Sequence, residues 1–128
     1  MSLGFDKVTF DCADVMAMAR FWAAALDWEV DPDSEPDGAA INDPSGRSGG
    51  FYFQPVPESK VAKNRVHIDL RPSESMATEV ARLQQLGATI QGRVDEGGSF
   101  WTVMLDPEGN ELCVLRGPED GWPGSARA

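Results

Sequence analysis

Histidine, cysteine and tyrosine are scarce in this sequence. Its 128 residues include one histidine, two cysteines and one tyrosine. A single histidine excludes sites built from several imidazoles. The two cysteines, Cys12 and Cys113, lie far apart inside apolar segments, which favours buried thiols over a disulfide. This use of cysteine is typical of reducing compartments, so we expect a cytoplasmic location.

Positive charge is also scarce. The chain has 11 lysines and arginines against 21 aspartates and glutamates, a net charge of −10 and a pI near 4.4. Nucleic acids and acidic membrane surfaces need a basic face to bind, so both are excluded as expected partners. No apolar run reaches the ~18 residues that a membrane span requires. The acidity favours solubility.

The residues present predict an α+β domain. Alternating polar and apolar residues over 7–12 predict a strand, and the apolar stripe of 15–26 predicts a helix with Asp14 as its N-cap. A second alternating segment over 65–70 precedes a second apolar stripe that begins at Met76, with Ser73 or Ser75 as the N-cap of that helix. Gly87 is placed to end that helix, because glycine readily adopts the left-handed conformation at a helix end.

The order of elements occurs twice. Each half runs strand, helix, strand, strand, turn, strand, and its turn has the pattern Asp-Pro-x-Gly, at 43–46 and at 106–109. This repetition predicts one domain over 1–128, made of two tandem βαβββ modules. The predicted modules cover about 4–56 and 65–117, with a linker over 55–64. We expect the tail, 118–128, to be loose, with Trp122 as the residue that could pin it.

Three segments resemble the vicinal oxygen chelate superfamily, and in particular its glyoxalase-like and bleomycin resistance-like domains. They are the helix ending Ala19-Arg20-Phe21-Trp22…Ala25-Leu26-Asp27-Trp28, the run Asn64-Arg65-Val66-His67-Ile68-Asp69-Leu70-Arg71, and Asp106-Pro107-Glu108-Gly109-Asn110-Glu111-Leu112. The resemblance implies a curled, cup-shaped mixed sheet with helices outside. A small-molecule ligand would lie inside the cup.

Strand alternation sorts the side chains between the helix side and the cup. We expect Val66, Ile68 and Leu70 to pack beneath a helix, and Tyr52 and Gln54 to lie on the helix side or the rim. The residues that we expect around the ligand are Lys7, Asp11, Phe51, Phe53, His67, Asp69, Arg71, Trp101 and Cys113. Apolar walls with a few convergent polar groups are typical of small-molecule sites.

The resemblance also implies four positions for metal ligands, two in each module. They fall on Lys7, Phe51, His67 and Cys113, of which only His67 is a usual ligand of the superfamily. Lysine repels a cation and phenylalanine has no lone pair to offer. We therefore expect no metal cofactor, although carboxylates such as Asp69 leave a divalent ion open.

Three functions remain open at this point. In the first, the chain is a lyase or isomerase that uses His67 as general acid or base. A dioxygenase is less favoured. Alternatively, it sequesters a small molecule without turnover, as resistance proteins of this superfamily do, and His67 is a hydrogen-bonded histidine. The third alternative is an accessory protein with a vestigial cup. The resemblance also allows a homodimer.

Overall fold

Hydrogen bonding groups the strands into two separate four-stranded sheets. The computed structural model describes residues 2–124, and these divide into two compact units, one up to Val61 and one from Ala62 onward. Each unit holds one helix and one mixed sheet, so the fold is α+β and consistent with two tandem βαβββ modules. The described residues contain no helix long and apolar enough to cross a bilayer.

The first unit contains β1 and α1, followed by three further strands. Its elements are β1 Lys7–Cys12, α1 Val15–Leu26, β2 Glu29–Val30, β3 Ala39–Asn42 and β4 Gly50–Pro55. The strands lie in the order β1-β4-β3-β2, with β1 parallel to β4 and the other neighbours antiparallel. The crossover through α1 makes the β1–β4 pair parallel, as helix-linked strands require.

Aromatic rings fill the core of the first unit beneath α1. Trp22 and Phe53 are fully buried and Phe51 is 6% exposed. The Phe10 ring centroid lies 5.6 Å from that of Trp22 and 5.3 Å from that of Phe53. Trp28 covers Phe51 from the other side at 5.3 Å. The large apolar area of these rings makes this cluster the main source of stability in the unit.

The second unit repeats this order. Its elements are β5 Ile68–Leu70, α2 Met76–Leu86, β6 Thr89–Glu96, β7 Ser99–Leu105 and β8 Glu111–Val114, followed by a short 3-10 turn at Pro118–Asp120. The strand order β5-β8-β7-β6 matches that of the first sheet, and β6 forms its edge. A bulge between Ile90 and Gly92 interrupts the pairing of β6 with β7.

Both helices begin and end as the sequence predicts. The Asp14 carboxylate accepts a hydrogen bond from the Ala17 backbone N–H at 3.1 Å, and the Ser75 hydroxyl accepts one from Thr78 at 3.2 Å. Gly87 ends α2 with φ of 120°, a conformation that side chains disfavour. Capping of this kind contributes about 1 kcal/mol to each helix.

In both Asp-Pro-x-Gly turns, the aspartate carboxylate accepts hydrogen bonds from backbone N–H groups of its own loop. Asp43 accepts hydrogen bonds from the N–H groups of Ser45 and Ser48. Asp106 accepts them from Glu108 and Asn110, both at 2.9 Å. Asp106 is buried whereas Asp43 is half-buried. The carboxylate therefore adds to the backbone hydrogen bond that closes each turn, from Gly46 to Asp43 and from Gly109 to Asp106.

Two expectations about the second unit need correction. The predicted strand at 65–70 begins only at Ile68, so Val66 does not pack and is 73% exposed. The tail is not loose through 122, because the Asp120 carboxylate accepts from the backbone N–H of Met76 at 2.7 Å and of Gly117 at 2.9 Å. Residues 125–128 of the predicted tail lie outside the described residues.

Candidate functional site

Three side chains of different chemistry meet on the second sheet. His67 lies just before β5, Asp69 is in β5 and Cys113 is opposite Asp69 in β8. One ligand-type atom from each, an imidazole nitrogen, a carboxylate oxygen and the thiol sulfur, lies within 4.8 Å of the other two. His67 and Asp69 are exposed and Cys113 is 6% exposed. We call these three residues the second-unit cluster.

The second-unit cluster lies on the sheet face turned away from α2. Thr102 contacts the Met76 sulfur of α2 at 3.5 Å, so Thr102 marks the helix side of β7. Val103 points to the opposite side and is in register with Cys113, which is in register with Asp69. Side-chain alternation puts the half-buried Trp101 on this same side.

The Cys113 thiol stays protonated at neutral pH. Burial, together with the negative charge of Asp69 and a hydrogen bond to it, raises the pKa of Cys113 to about 11, while the charge of Lys63 opposes this rise. A thiol rather than a thiolate therefore stands beside Asp69. Because only the thiolate is a strong nucleophile, Cys113 is unsuited to covalent catalysis in this state.

Lys63 adds a positive charge to the second-unit cluster. Its Nζ lies 3.0 Å from Nε2 of His67. A lysine ammonium can only donate a hydrogen bond, so Nε2 accepts and the neutral ring carries its proton on Nδ1. The sequence placed Lys63 in a linker and gave it no role. A lysine four residues before a histidine is its only sequence signal, and such spacing brings side chains together reliably only within a helix.

Loop contacts hold the segment that carries Lys63. The Asn64 backbone N–H donates to the Glu111 carboxylate at 3.0 Å, and the Asn64 side chain donates to that of Asn110 at 3.2 Å. Glu111 is 7% exposed. These bonds tie the approach to β5 to the start of β8, which positions both Lys63 and His67.

Arg71 contacts the end of the chain. Its Nη1 donates to the Arg116 carbonyl at 2.8 Å, and its guanidinium carbon lies 4.0 Å from the Trp122 ring centroid. This cation–π contact helps to hold the tail, which the sequence anticipated for Trp122. The guanidinium predicted to contact a ligand is thus engaged by protein groups.

The face predicted for Phe51 and Phe53 of the first unit was wrong. They are in register with Val8 and Phe10, and their rings contact the core beneath α1, so neither lines an open face. The face turned away from α1 carries Thr9, Asp11, Tyr52 and Gln54. Gln54 donates to the Asp11 carboxylate at 2.8 Å. Alternation gives the period of a strand but not which face is buried.

Lys7 lies near the start of the first unit and is paired locally. Its Nζ contacts the Asp6 carboxylate at 2.9 Å, and about a third of the side chain, 34%, is exposed. The ammonium is accessible to a ligand only in competition with Asp6.

An open pocket of about 270 Å³ lies in the first unit, which the sequence did not reveal. Its lining consists of Asp31, Asp33, Ser34, Gly38, Ala40 and Tyr52. A Cβ at Gly38 would overlap the Tyr52 hydroxyl, so a larger residue there would have to displace the Tyr52 side chain. The Ser34 hydroxyl accepts from the Ala40 N–H at 3.1 Å, which fixes one wall of the pocket.

The four positions that the superfamily uses for its metal do not carry a matching donor set here. Phe51 has no donor atom and is buried in the core, and Lys7 is a cation paired with Asp6. The second unit offers His67, Asp69 and Cys113, a set that zinc accepts in principle. In this arrangement, however, Lys63 engages His67 Nε2, and the raised pKa of Cys113 disfavours the thiolate that a metal needs.

Solved structures share this fold over nearly the whole chain. A mutant of the fosfomycin resistance protein FosX from Listeria monocytogenes, in complex with Mn(II) and a dihydroxypropylphosphonic acid, is 16% identical, with a TM-score of 0.72 over 91% of this chain and 92% of that one. A glyoxalase/bleomycin resistance protein/dioxygenase family enzyme from Burkholderia phytofirmans PsJN is 15% identical, with a TM-score of 0.69 over 85% and 94%. A lactoylglutathione lyase from Agrobacterium tumefaciens is 13% identical, with a TM-score of 0.62 over 94% and 97%.

Sequence comparison agrees with the structural likeness. No curated protein matches the chain. The family model described as the glyoxalase-like domain matches residues 7–115, which is most of the chain. The structural neighbours belong to the glyoxalase, bleomycin resistance and dioxygenase superfamily. On these grounds the chain belongs to the glyoxalase-like domain family of the vicinal oxygen chelate superfamily.

Proposed function

We propose that the protein binds a small organic molecule at the second-unit cluster and acts on it as a lyase or isomerase, with His67 moving a proton. The observation that carries the proposal is the exposed His67 ring, within 4.8 Å of the Asp69 carboxylate and of the Cys113 thiol. Imidazole is the side chain best suited to take and return a proton near neutral pH.

The supporting groups have distinct tasks in this proposal. Lys63 donates to Nε2 of His67 in this arrangement, so the ring takes up a proton only when the ammonium turns toward the ligand. Trp101 and Val103 supply apolar surface on the same sheet face for the body of the ligand. Asp69 receives the Cys113 hydrogen bond, and that pairing keeps the thiol neutral. A site of this kind needs no metal cofactor to transfer a proton.

The setting of the protein is part of the proposal. Cys12 and Cys113 are buried thiols that are not joined in a disulfide, which suits a reducing cytoplasm. A homodimer is proposed from the superfamily resemblance. The net charge of −10 leaves a small molecule, rather than nucleic acid or a membrane, as the partner.

Relatives suggest the first ligands to test. One structural neighbour is a fosfomycin resistance protein and another is a lactoylglutathione lyase. Fosfomycin and S-lactoylglutathione are therefore the probes, each added with a metal chelator. Binding is measured as a rise in the unfolding temperature, since a ligand at a hundredfold excess over its Kd adds about 2.7 kcal/mol of stability. Proton transfer is followed by NMR in D2O, as deuterium incorporation beside the thioester carbonyl of S-lactoylglutathione.

The expected result is binding together with deuterium incorporation that falls about a hundredfold or more in His67→Ala. Glu58→Gln, at an exposed position in the linker, is the matched control and should behave as the wild type. Binding without incorporation would favour sequestration, the second candidate, for which the engagement of His67 by Lys63 is the supporting observation. Neither binding nor incorporation with either probe would contradict the proposed function.

A further inference from the structure

Lys63 stands where the superfamily's chemistry would call for a metal ion. Its Nζ is 3.0 Å from Nε2 of the chain's single histidine. A ring nitrogen of His67 also lies within 4.8 Å of the Cys113 sulfur. His67 and Cys113 are two of the four positions to which the superfamily resemblance assigns metal ligands. A cation is thus already present at these two positions, and the chain supplies it.

We infer that the Lys63 ammonium takes over the role of the metal, and that it binds an anionic oxygen of the ligand, a carboxylate or a phosphonate, beside His67. The inference rests on the proposed ligand site in the second unit and names the class of molecule that occupies it.

The hydrogen-bond capacity of Lys63 supports this assignment. An ammonium has three N–H donors and no acceptor, and His67 takes one donor. Lys63 is exposed, so an anionic oxygen can reach the remaining donors. Hydrogen bonds from an ammonium to an anion are about twice as strong as those between neutral groups.

The charge of the whole chain makes a local cation necessary. At a net charge of −10 the protein as a whole repels anions. Asp69, within the second-unit cluster, adds to this repulsion at short range. Within the second unit, Arg71 is engaged by the Trp122 ring and the Arg116 carbonyl. Lys63 is therefore the cation best placed to hold an anionic ligand beside His67.

Lys63 and a divalent ion exclude each other at His67. A metal on Nε2 would need the lone pair that the ammonium now engages at 3.0 Å, so the two cations compete for one position and repel each other. Removing the ammonium should consequently do two opposite things: weaken the binding of anions and allow a metal to bind.

The test compares Lys63→Met with Lys60→Met, the other lysine of the same segment, which is also exposed. Because the chain has one histidine, ¹⁵N NMR of the imidazole gives a single pair of ring signals, all of them from His67. Inorganic phosphate and acetate are the anion probes, titrated into chelator-treated protein. Cobalt(II) is the metal probe, followed by its thiolate charge-transfer absorption. Circular dichroism confirms that both variants are folded.

For the wild type and Lys60→Met we expect the proton on Nδ1, imidazole shifts on adding phosphate or acetate, and no cobalt–thiolate absorption. In Lys63→Met the anion affinity should fall about tenfold or more, and a cobalt–thiolate band should appear at one equivalent.

Several results would overturn the inference. In the wild type, they are a ring protonated on Nε2, imidazole signals that do not shift with either anion, or stoichiometric cobalt binding. In Lys63→Met, the contradicting result is an anion affinity equal to that of the wild type. These failures are distinguishable from failure of the proposed function. Deuterium incorporation that depends on His67 but is unchanged in Lys63→Met would leave the catalytic proposal standing and remove the role of Lys63.

Discussion

The two units have the same order of elements, but their characteristic side chains lie in different places. The first unit buries its distinctive side chains, a cluster of aromatic rings under α1 that includes Trp22 and Phe53. The second packs a core of aliphatic and sulfur-containing side chains, among them Leu83, Met104 and Leu112. Its His67, Asp69 and Cys113 meet on the sheet face away from the helix. A duplicated topology can thus bury an aromatic core in one copy and gather polar side chains on the sheet face away from the helix in the other.

The largest expected effect tests the stability side of this comparison. Phe53→Ala removes a fully buried ring in contact with Phe10 and Phe51, so the free energy of unfolding should fall by about 3–5 kcal/mol. The measurement is urea denaturation followed by circular dichroism.

Gln54→Ala is the matched control, because Gln54 is adjacent on β4 and points to the other face. It should change stability by no more than about 0.5 kcal/mol, since it removes only an exposed hydrogen bond to Asp11. Equal losses in the two variants would mean that the two faces of β4 are not divided into core and surface.

The second prediction tests the Cys113 thiol of the second-unit cluster. With its pKa raised from 9.0 to about 11, the Cys113 thiol should react with iodoacetamide at pH 8 roughly a hundredfold more slowly than in urea-unfolded protein. The rate should climb as the pH rises toward 11, because the thiolate fraction grows. Peptide mass spectrometry separates Cys113 from Cys12.

Asp69→Asn sharpens this prediction. It removes the negative charge and the carboxylate acceptor that help to raise the pKa of Cys113, so alkylation at pH 8 should accelerate. Asp95→Asn, an exposed substitution on β6, serves as the control and should leave the rate unchanged. An unchanged rate in Asp69→Asn would show that burial alone governs the thiol.

The smallest effect concerns how each helix begins. Asp14 caps α1 from the preceding residue, whereas the start of α2 also binds the distant Asp120. Backbone N–H groups of Gly117 and Met76 lower the pKa of Asp120. The carboxylate therefore stabilises the fold fully above the ordinary aspartate range of about 3.9, and this contribution is lost as the pH falls through the lowered folded value.

Asp120→Asn should cost at most about 1 kcal/mol near pH 6, because the group is close to solvent. The difference from wild type should shrink as the pH falls toward about 3. Thermal unfolding at a series of pH values measures it, with Glu119→Gln as the neighbouring control. A difference that grows in acid would contradict the assigned role.

The sequence predicted the architecture well because its signals were local. The helix caps at Asp14, Ser75 and Gly87, and the two Asp-Pro-x-Gly turns, depend on neighbours within a few residues. Family membership followed from the same segments and is confirmed over residues 7–115.

The sites were harder to predict, since they depend on which face is buried and on contacts in irregular segments. Alternation along β4 fits either face, and the larger apolar area of Phe51 and Phe53 decided in favour of the core. Lys63 meets His67 through a segment without regular structure, held by Asn64 and Glu111. Side-chain positions in such segments follow from tertiary contacts, which no periodicity encodes.

The bulge in β6 has a consequence for association between copies. An eight-residue edge strand would ordinarily be a template on which another chain could add a strand. The displaced register at Ile90 and Gly92 breaks that template, and Arg93, Asp95 and Glu96 place charges along the rest of it. This edge is therefore protected against runaway β-sheet extension. A dimer of the protein would have to assemble through some other surface.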